Sequence, residues 1–223
     1  MQYIKQFSEF SKDDVATAGG KGASLGEMTR LFGGQAQVGI PVPPGFVLLA
    51  SAFDAFLAEA DMGVEIAAVL DTVNTAEMHT VEHASEKIQA LILNASMPLG
   101  IADEIMSAHT QLGAEFVAVR SSATAEDSAS AACSWHLDSF LNTTKETLLQ
   151  NVQKCWASLF TPRAIFYRFE KKLHTQQVSV AVVVQTMVQS EISGIAFSVH
   201  PVTQDRNQLI IEAGYGLGEA IVS

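Results

Sequence analysis

Two stretches of this 223-residue chain carry residue types that suit an anion. In one, Arg120 stands at the root of a run of small and acidic residues that begins Ser121-Ser122-Ala123-Thr124-Ala125-Glu126-Asp127 and continues in the same style to Ser134. Small side chains let backbone N–H groups approach a ligand, and a guanidinium presents a fixed fork of donors that matches phosphate oxygens. In the other, Gly19-Gly20-Lys21-Gly22 precedes apolar residues at helical spacing. Glycine permits close approach of the backbone, and a helix N-terminus favours negative charge. Both stretches also have an ordinary reading. Arg120 would pair with Glu126 or Asp127 in a polar surface loop, and Lys21 would be a solvated side chain after a glycine turn. GGKG lacks the GxxxxGK[ST] spacing of a P-loop.

Two further patterns are weaker. His79 and His83 are spaced to share one helix face, as metal ligands do, but no HExxH accompanies them and no third ligand is evident. Gly214-Tyr215-Gly216-Leu217-Gly218 suggests a dinucleotide turn, yet Glu219 stands where GxGxxG requires glycine, and no room is left for the acidic ribose ligand.

The elements that must hold these residues follow from pattern. Phe116 to Val119 is a β-branched strand before the Arg120 loop, and the apolar pattern resumes at Leu137 to Leu141. Tyr3 and Ile4 begin a short strand. After the polar approach Lys12 to Ala18, Leu25, Met28, Leu31 and Phe32 mark the buried face of a helix that ends at Gly33 and Gly34. Pro41, Pro43 and Pro44 exclude helix and lead into a strand, Phe46 to Leu49. Ser51 caps a short helix holding Phe53, Phe56 and Leu57, and Val64 to Leu93 is one helical pattern. Pro98 opens and Gly113 closes the next helix. Thr143 with Glu146 makes a capping box for the helix of Leu148, Val152, Cys155, Trp156 and Leu159. Thr161 and Pro162 start another, with Ile165, Phe166 and Phe169 inward and Arg163, Arg168, Lys171 and Lys172 as an exposed basic face. Val178 to Val188 is a central strand, followed by strands at Ile195 to Ser198 and Gln208 to Ile211.

Composition bounds the partners. With 48% hydrophobic and 17% charged residues the chain is globular, one large domain or two small ones. A net charge of -11 and a pI near 4.9 oppose nucleic acid and anionic membranes as partners, so any anionic ligand must be held by local basic groups such as Lys21 and Arg120. No Lys or Arg occurs between Arg30 and Lys87, a solvated acidic face or a dock for a basic domain. Two cysteines, Cys133 and Cys155, imply no disulfide framework, and the N-terminus shows no secretory signal, so a cytoplasmic location is expected.

RSSATAED, GGKGASLGE at Gly19 to Glu27 and GIPVPPGF at Gly39 to Phe46 together resemble the N-terminal nucleotide-binding domain shared by phosphoenolpyruvate synthase (pyruvate, water dikinase), pyruvate phosphate dikinase and rifampicin phosphotransferase. CWASLFTPRAIFYR and EAGYGLGE extend the likeness through essentially the whole chain. The resemblance implies an α+β fold of the ATP-grasp type with mixed β-sheets and packed helices, incomplete at its C-terminal end. Residues 1–223 would be the N-terminal portion of that domain, with sub-lobes of about 1–114 and 115–223. It implies ATP and Mg²⁺, with Lys21 and Arg120 on phosphates, Gln185 of the VQTMV segment lining the adenine pocket and Glu219 supporting cation or phosphate geometry. Gln185 has an ordinary reading too, a side-chain amide bonded to nearby backbone.

The chain departs from the family in two respects. The family's phosphate loop, commonly ASFAGQ, aligns with Ala131 to His136 and puts Trp135 where a phosphate-contacting glycine stands, while Ser139 replaces a threonine but keeps its hydroxyl. Trp135 either covers the site, redirects the loop or stacks on adenine. Relatives also continue beyond the position of Ser223, and no TSHA-like phospho-histidine segment occurs among the sequence's six histidines. The implied function is the ATP-binding portion of a phosphoenolpyruvate synthase-like phosphotransferase that passes phosphoryl to a histidine on an absent domain and then to pyruvate, without complete turnover alone. The alternatives are a degenerate nucleotide-binding or interaction module and a rifampicin phosphotransferase-like antibiotic kinase. A homodimer stays open.

Overall fold

The computed structural model describes residues 2–32, 41–124, 138–173 and 179–222. In chain order the elements are β1 (Ile4–Gln6), α1 (Val15–Phe32), β2 (Gly45–Leu48), α2 (Ala50–Glu59), α3 (Gly63–Leu70), α4 (Met78–Asn94), α5 (Leu99–Leu112) and β3 (Val117–Ala123). They continue with β4 (Ser139–Thr143), α6 (Leu148–Ala157), α7 (Pro162–Glu170), β5 (Val180–Thr186), β6 (Ile192–Phe197), β7 (Ile210–Tyr215) and α8 (Glu219–Val222). The chain divides into two compact units, Met1–Met187 and Val188–Ser223. No helix among the described residues is long and apolar enough to cross a membrane.

The first unit is built on a five-stranded sheet of order β1-β2-β5-β3-β4. Mixed sheets were expected, but every described strand pair is antiparallel. β5 is central because its run of valines can be buried on both faces, and Val180 to Val184 are fully buried.

Side chains on successive strand positions point to opposite faces, so the register sorts them. Phe46, Leu48, Val117, Val119, Val180, Val182 and Val184 lie on one face, in the large core that α2 to α7 complete. Trp156 of α6 is at its centre, with ring centroids 5.7 Å from Phe53 and 4.8 Å from Phe56. The other face carries a small core of Phe7, Phe10, Ala18, Val47, Ala181 and Val183 under α1.

Several local expectations are corrected. The pattern Val64 to Leu93 is two helices, α3 and α4, because polar side chains between them bond backbone locally: Thr72 Oγ1 donates to Val69 O, and Asn74 Oδ1 accepts from Ala76 N. α2 starts one residue before Ser51, after Leu49, without a side-chain cap. Thr143 belongs to β4, and a Thr144–Thr147 turn precedes α6 in place of a Thr143–Glu146 capping box; Thr143 Oγ1 instead accepts from Asn151 Nδ2. In α1 the buried face is Ala18, Gly19, Gly22, Ala23 and Gly26, whereas Met28 and Leu31 are exposed. Small residues bring this helix close to the sheet.

Arg168 is the largest departure, since it is buried and not part of a solvated basic face. Its guanidinium donates to Leu159 O at 2.7 Å and lies over the Phe160 ring at 5.0 Å, and burial pushes its pKa down to about 10.

The second unit is an antiparallel β6–β7 hairpin with α8. Its strands are longer than the sequence pattern suggested, and the EAGY segment belongs to β7. Ile192 and Tyr215 face each other in register and are both exposed.

Candidate functional site

The β3 register sets out the site. Arg120 is opposite Val183 on one side and Ser139 on the other, and Ala118 is opposite Gln185. Strand periodicity therefore puts Arg120, Ser139, Gln185 and Ser122 on one face, the face that carries the small core. Arg120 and Gln185 are half-buried and Ser139 is exposed, so among the described residues this part of the face is open. Among the described residues the Arg120 side chain has no hydrogen bond or ion pair. Its guanidinium is held by a buried strand, with its donors uncommitted within that set.

Lys21 arrives at the same place from α1. Gly19, at φ 68° and ψ 170°, breaks the helix and turns the chain against β3. A Cβ at Gly19 would overlap the hydroxyl and carbonyl of Ser122, so only glycine allows this approach. Beyond the break, Lys21 N and Gly22 N donate to Ser122 Oγ at 3.1 and 3.3 Å, and Lys21 Nζ donates to Ser121 O at 3.0 Å. Two motifs that lie about a hundred residues apart in sequence are thus one structure, with both cations carried by neighbouring backbone.

Ser121 faces the other way. Its N–H and hydroxyl both donate to Asp138 O, at 3.2 and 3.0 Å, and Thr124 Oγ1 donates to Ser179 O at 2.9 Å. Both ends of the motif loop are therefore tied to the sheet, while residues 125–137, Trp135 included, lie outside the described residues. Below this junction Cys155 is fully buried, and burial, with the nearby Asp138 carboxylate, pushes its thiol far above the ordinary range. It is an inert packing residue, not a nucleophile.

Gln185 Nε2 donates to Pro43 O at 3.0 Å, so the amide braces the proline-rich turn. Because a proline carbonyl only accepts, this bond fixes which end of the amide points to the turn. Glu219 is exposed in the first turn of α8, in the second unit. In that unit the carbonyl of Gly216, a residue at φ 88°, accepts from the hydroxyls of Ser190 and Ser193 at 3.1 and 2.5 Å. His79 and His83 do share a face of α4 and line a cavity of about 420 Å³ with Glu65 and Lys87. Among the described residues, however, no group of three or more His, Cys, Asp or Glu side chains is placed to hold a metal.

The two serines of RSSA were not singled out from sequence, although they make the junction. A serine in a buried strand next to an arginine is the available signal, since such a hydroxyl must find a partner.

Over residues 15–223 the sequence matches the family described as pyruvate phosphate dikinase, AMP/ATP-binding domain. The chain belongs to this family. A probable phosphoenolpyruvate synthase from Methanothermobacter thermautotrophicus is 41% identical over 230 residues, covering 100% of this chain and 32% of that protein. One from Archaeoglobus fulgidus is 42% identical over 222 residues, covering 97% of this chain and 28% of that protein. A rifampicin phosphotransferase from Bacillus cereus is 36% identical over 223 residues, covering 99% of this chain and 25% of that protein. As a pyruvate phosphate dikinase AMP/ATP-binding domain, the chain spans a third or less of the length of these relatives.

Proposed function

We propose that this chain is the ATP-binding portion of a phosphoenolpyruvate synthase-type phosphotransferase, with an ATP-grasp-type fold. The carrying observation is the docking of the Lys21 turn on Ser121 and Ser122, directly beside Arg120 on the sheet. Phosphoryl transfer requires mainly positioning and charge stabilisation, and two cations fixed on adjoining backbone supply both.

In this reading Lys21 and Arg120 neutralise the phosphates, and the Ser139 hydroxyl lies in register with Arg120 to share them. Gln185 has its Nε2 committed to Pro43 O, so its side-chain oxygen is the atom that accepts from the adenine amino group. By the family resemblance, Glu219 supports cation or phosphate geometry. Among the described residues no group of three or more His, Cys, Asp or Glu side chains is placed to hold Mg²⁺, which would arrive as the counter-ion of ATP. The phosphoryl group passes to a histidine elsewhere in a longer protein and from there to pyruvate. Similarity to a rifampicin phosphotransferase supports an antibiotic as the other acceptor, using the same nucleotide lobe. Trp135 favours a different reading, a degenerate nucleotide-binding or interaction module, and Trp135→Gly distinguishes it by strengthening ATP binding.

Calorimetric titration of the chain with Mg·ATP is the test, with Arg120→Ala as control. Saturable binding is expected, weakened by about 10- to 100-fold in the variant, the worth of a hydrogen bond to a charged group. No binding by the intact chain, or equal binding by both proteins, would overturn the reading.

A further inference from the structure

Ser122 is fully buried, and its hydroxyl serves two elements at once. It is a strand residue of β3, yet it accepts from Lys21 N at 3.1 Å and Gly22 N at 3.3 Å. Those amides follow the Gly19 break, where the first N–H groups of a helix lack intrahelical acceptors. Such groups are ordinarily capped by a local Ser, Thr, Asp or Asn side chain or by a bound anion. Here the cap comes from a strand about a hundred residues away.

Two consequences follow. The Lys21 and Gly22 amides are already used by a serine, so this glycine turn grips phosphate through the Lys21 ammonium rather than through these backbone donors. The cap also fixes where that ammonium starts, because the same contact seats Lys21 against β3 within 3.0 Å of Ser121 O and one strand position from Arg120.

We propose that Ser122 is a positioning residue for nucleotide binding, whose hydroxyl caps the helix across the sheet and sets Lys21 beside Arg120 as a two-cation clamp for the polyphosphate. This inference rests on the nucleotide reading above. It also accounts for Gly19, since any side chain there would strike Ser122 and lift the turn from the strand.

The test combines amide hydrogen exchange with titrations of ATP and of adenosine, on the wild-type chain and Ser122→Ala. In the wild type, the Lys21 and Gly22 amides are expected to be protected. Ser122→Ala should speed exchange at these two amides and lower ATP affinity by about 10- to 100-fold, the scale of a small misplacement of a binding group. Adenosine, which lacks phosphate, should bind both proteins equally, a split that general damage to the fold would not produce. Rapid exchange of both amides in the wild type overturns the inference, even if the variant does not fold. An unchanged ATP affinity in Ser122→Ala overturns it, as does an equal loss for adenosine. A wild-type chain that binds no ATP while both amides are protected overturns the nucleotide reading and the positioning role, but leaves the cap itself standing.

Discussion

On one face of the five-stranded sheet, Val117, Val119, Val182 and Val184 pack into a large core around Trp156, Phe53 and Phe56. On the other, one position along the same strands, stand Arg120, Ser122, Val183 and Gln185, with only a small core under α1. The polar residues are not loop decorations. Each is held by strand backbone whose opposite face is fully packed, so the large core acts as the rigid support for the charged half. Substitutions on the first face should therefore alter folding, and substitutions on the second should alter binding with little effect on folding.

The largest effect expected is that of Trp156→Ala. Removing a fully buried indole costs about 3–5 kcal/mol by lost burial and a residual cavity, measured as a shift in urea midpoint at constant slope. Trp156→Phe should cost less, partly because the indole Nε1 is buried with no partner among the described residues. Gly19→Ala comes next. It combines a positive φ with overlap against Ser122, and a destabilisation of about 1–3 kcal/mol together with weakened ATP binding is expected. This variant joins the two faces. If it lowered ATP affinity without touching stability, the turn would be floppier than its contacts imply.

Arg120→Ala sharpens the contrast from the other side. A half-buried guanidinium without a partner among the described residues should contribute within about 0.5 kcal/mol to stability, although it is expected to dominate ATP affinity. A loss of stability comparable to that of Trp156→Ala would break the division between the faces.

Much of the scaffold was legible because its signals are local. Valine density marked β5, Pro98 and Gly113 bracketed α5, and Thr161 before Pro162 started α7, where its hydroxyl does accept from Ala164 N. Lys21 and Arg120 were legible as candidates by residue type. What joins them was not, since strand order and register depend on pairings between distant segments such as β2 with β5. The buried face of α1 differs from the hydrophobic pattern at Met28 and Leu31, because contact with the sheet is decided by how closely the backbones approach, which selects Gly22, Ala23 and Gly26 with Leu25 packed at their side. Arg168 escaped for a related reason: composition gives it a charge, but only the fold supplies the Leu159 carbonyl and the Phe160 ring that let it be buried.

The smallest effect concerns a titratable group inside the large core. His109, in the last turn of α5, is 6% exposed, and its Nε2 is buried without a partner among the described residues. Burial above all, and then the charge of Lys145, holds its pKa below the ordinary imidazole value, while Glu146 acts in the opposite sense. The unfolded chain thus takes up a proton at a higher pH than the folded one does. Below the unfolded value of about 6.5 the unfolded state binds more protons, so this residue's contribution makes stability fall as pH drops. Above that value both states are neutral and the contribution vanishes. Urea unfolding of the wild type and of His109→Leu, each at about pH 7.5 and pH 5.5, isolates it, because the carboxylates shared by both proteins cancel in the double difference. The wild type should lose more stability on acidification than the variant, with ATP affinity at neutral pH equal in the two. Equal losses would mean that the imidazole is reached by water in the folded state. A change in ATP affinity would mean that the two faces of the sheet are coupled more closely than their separate packing implies.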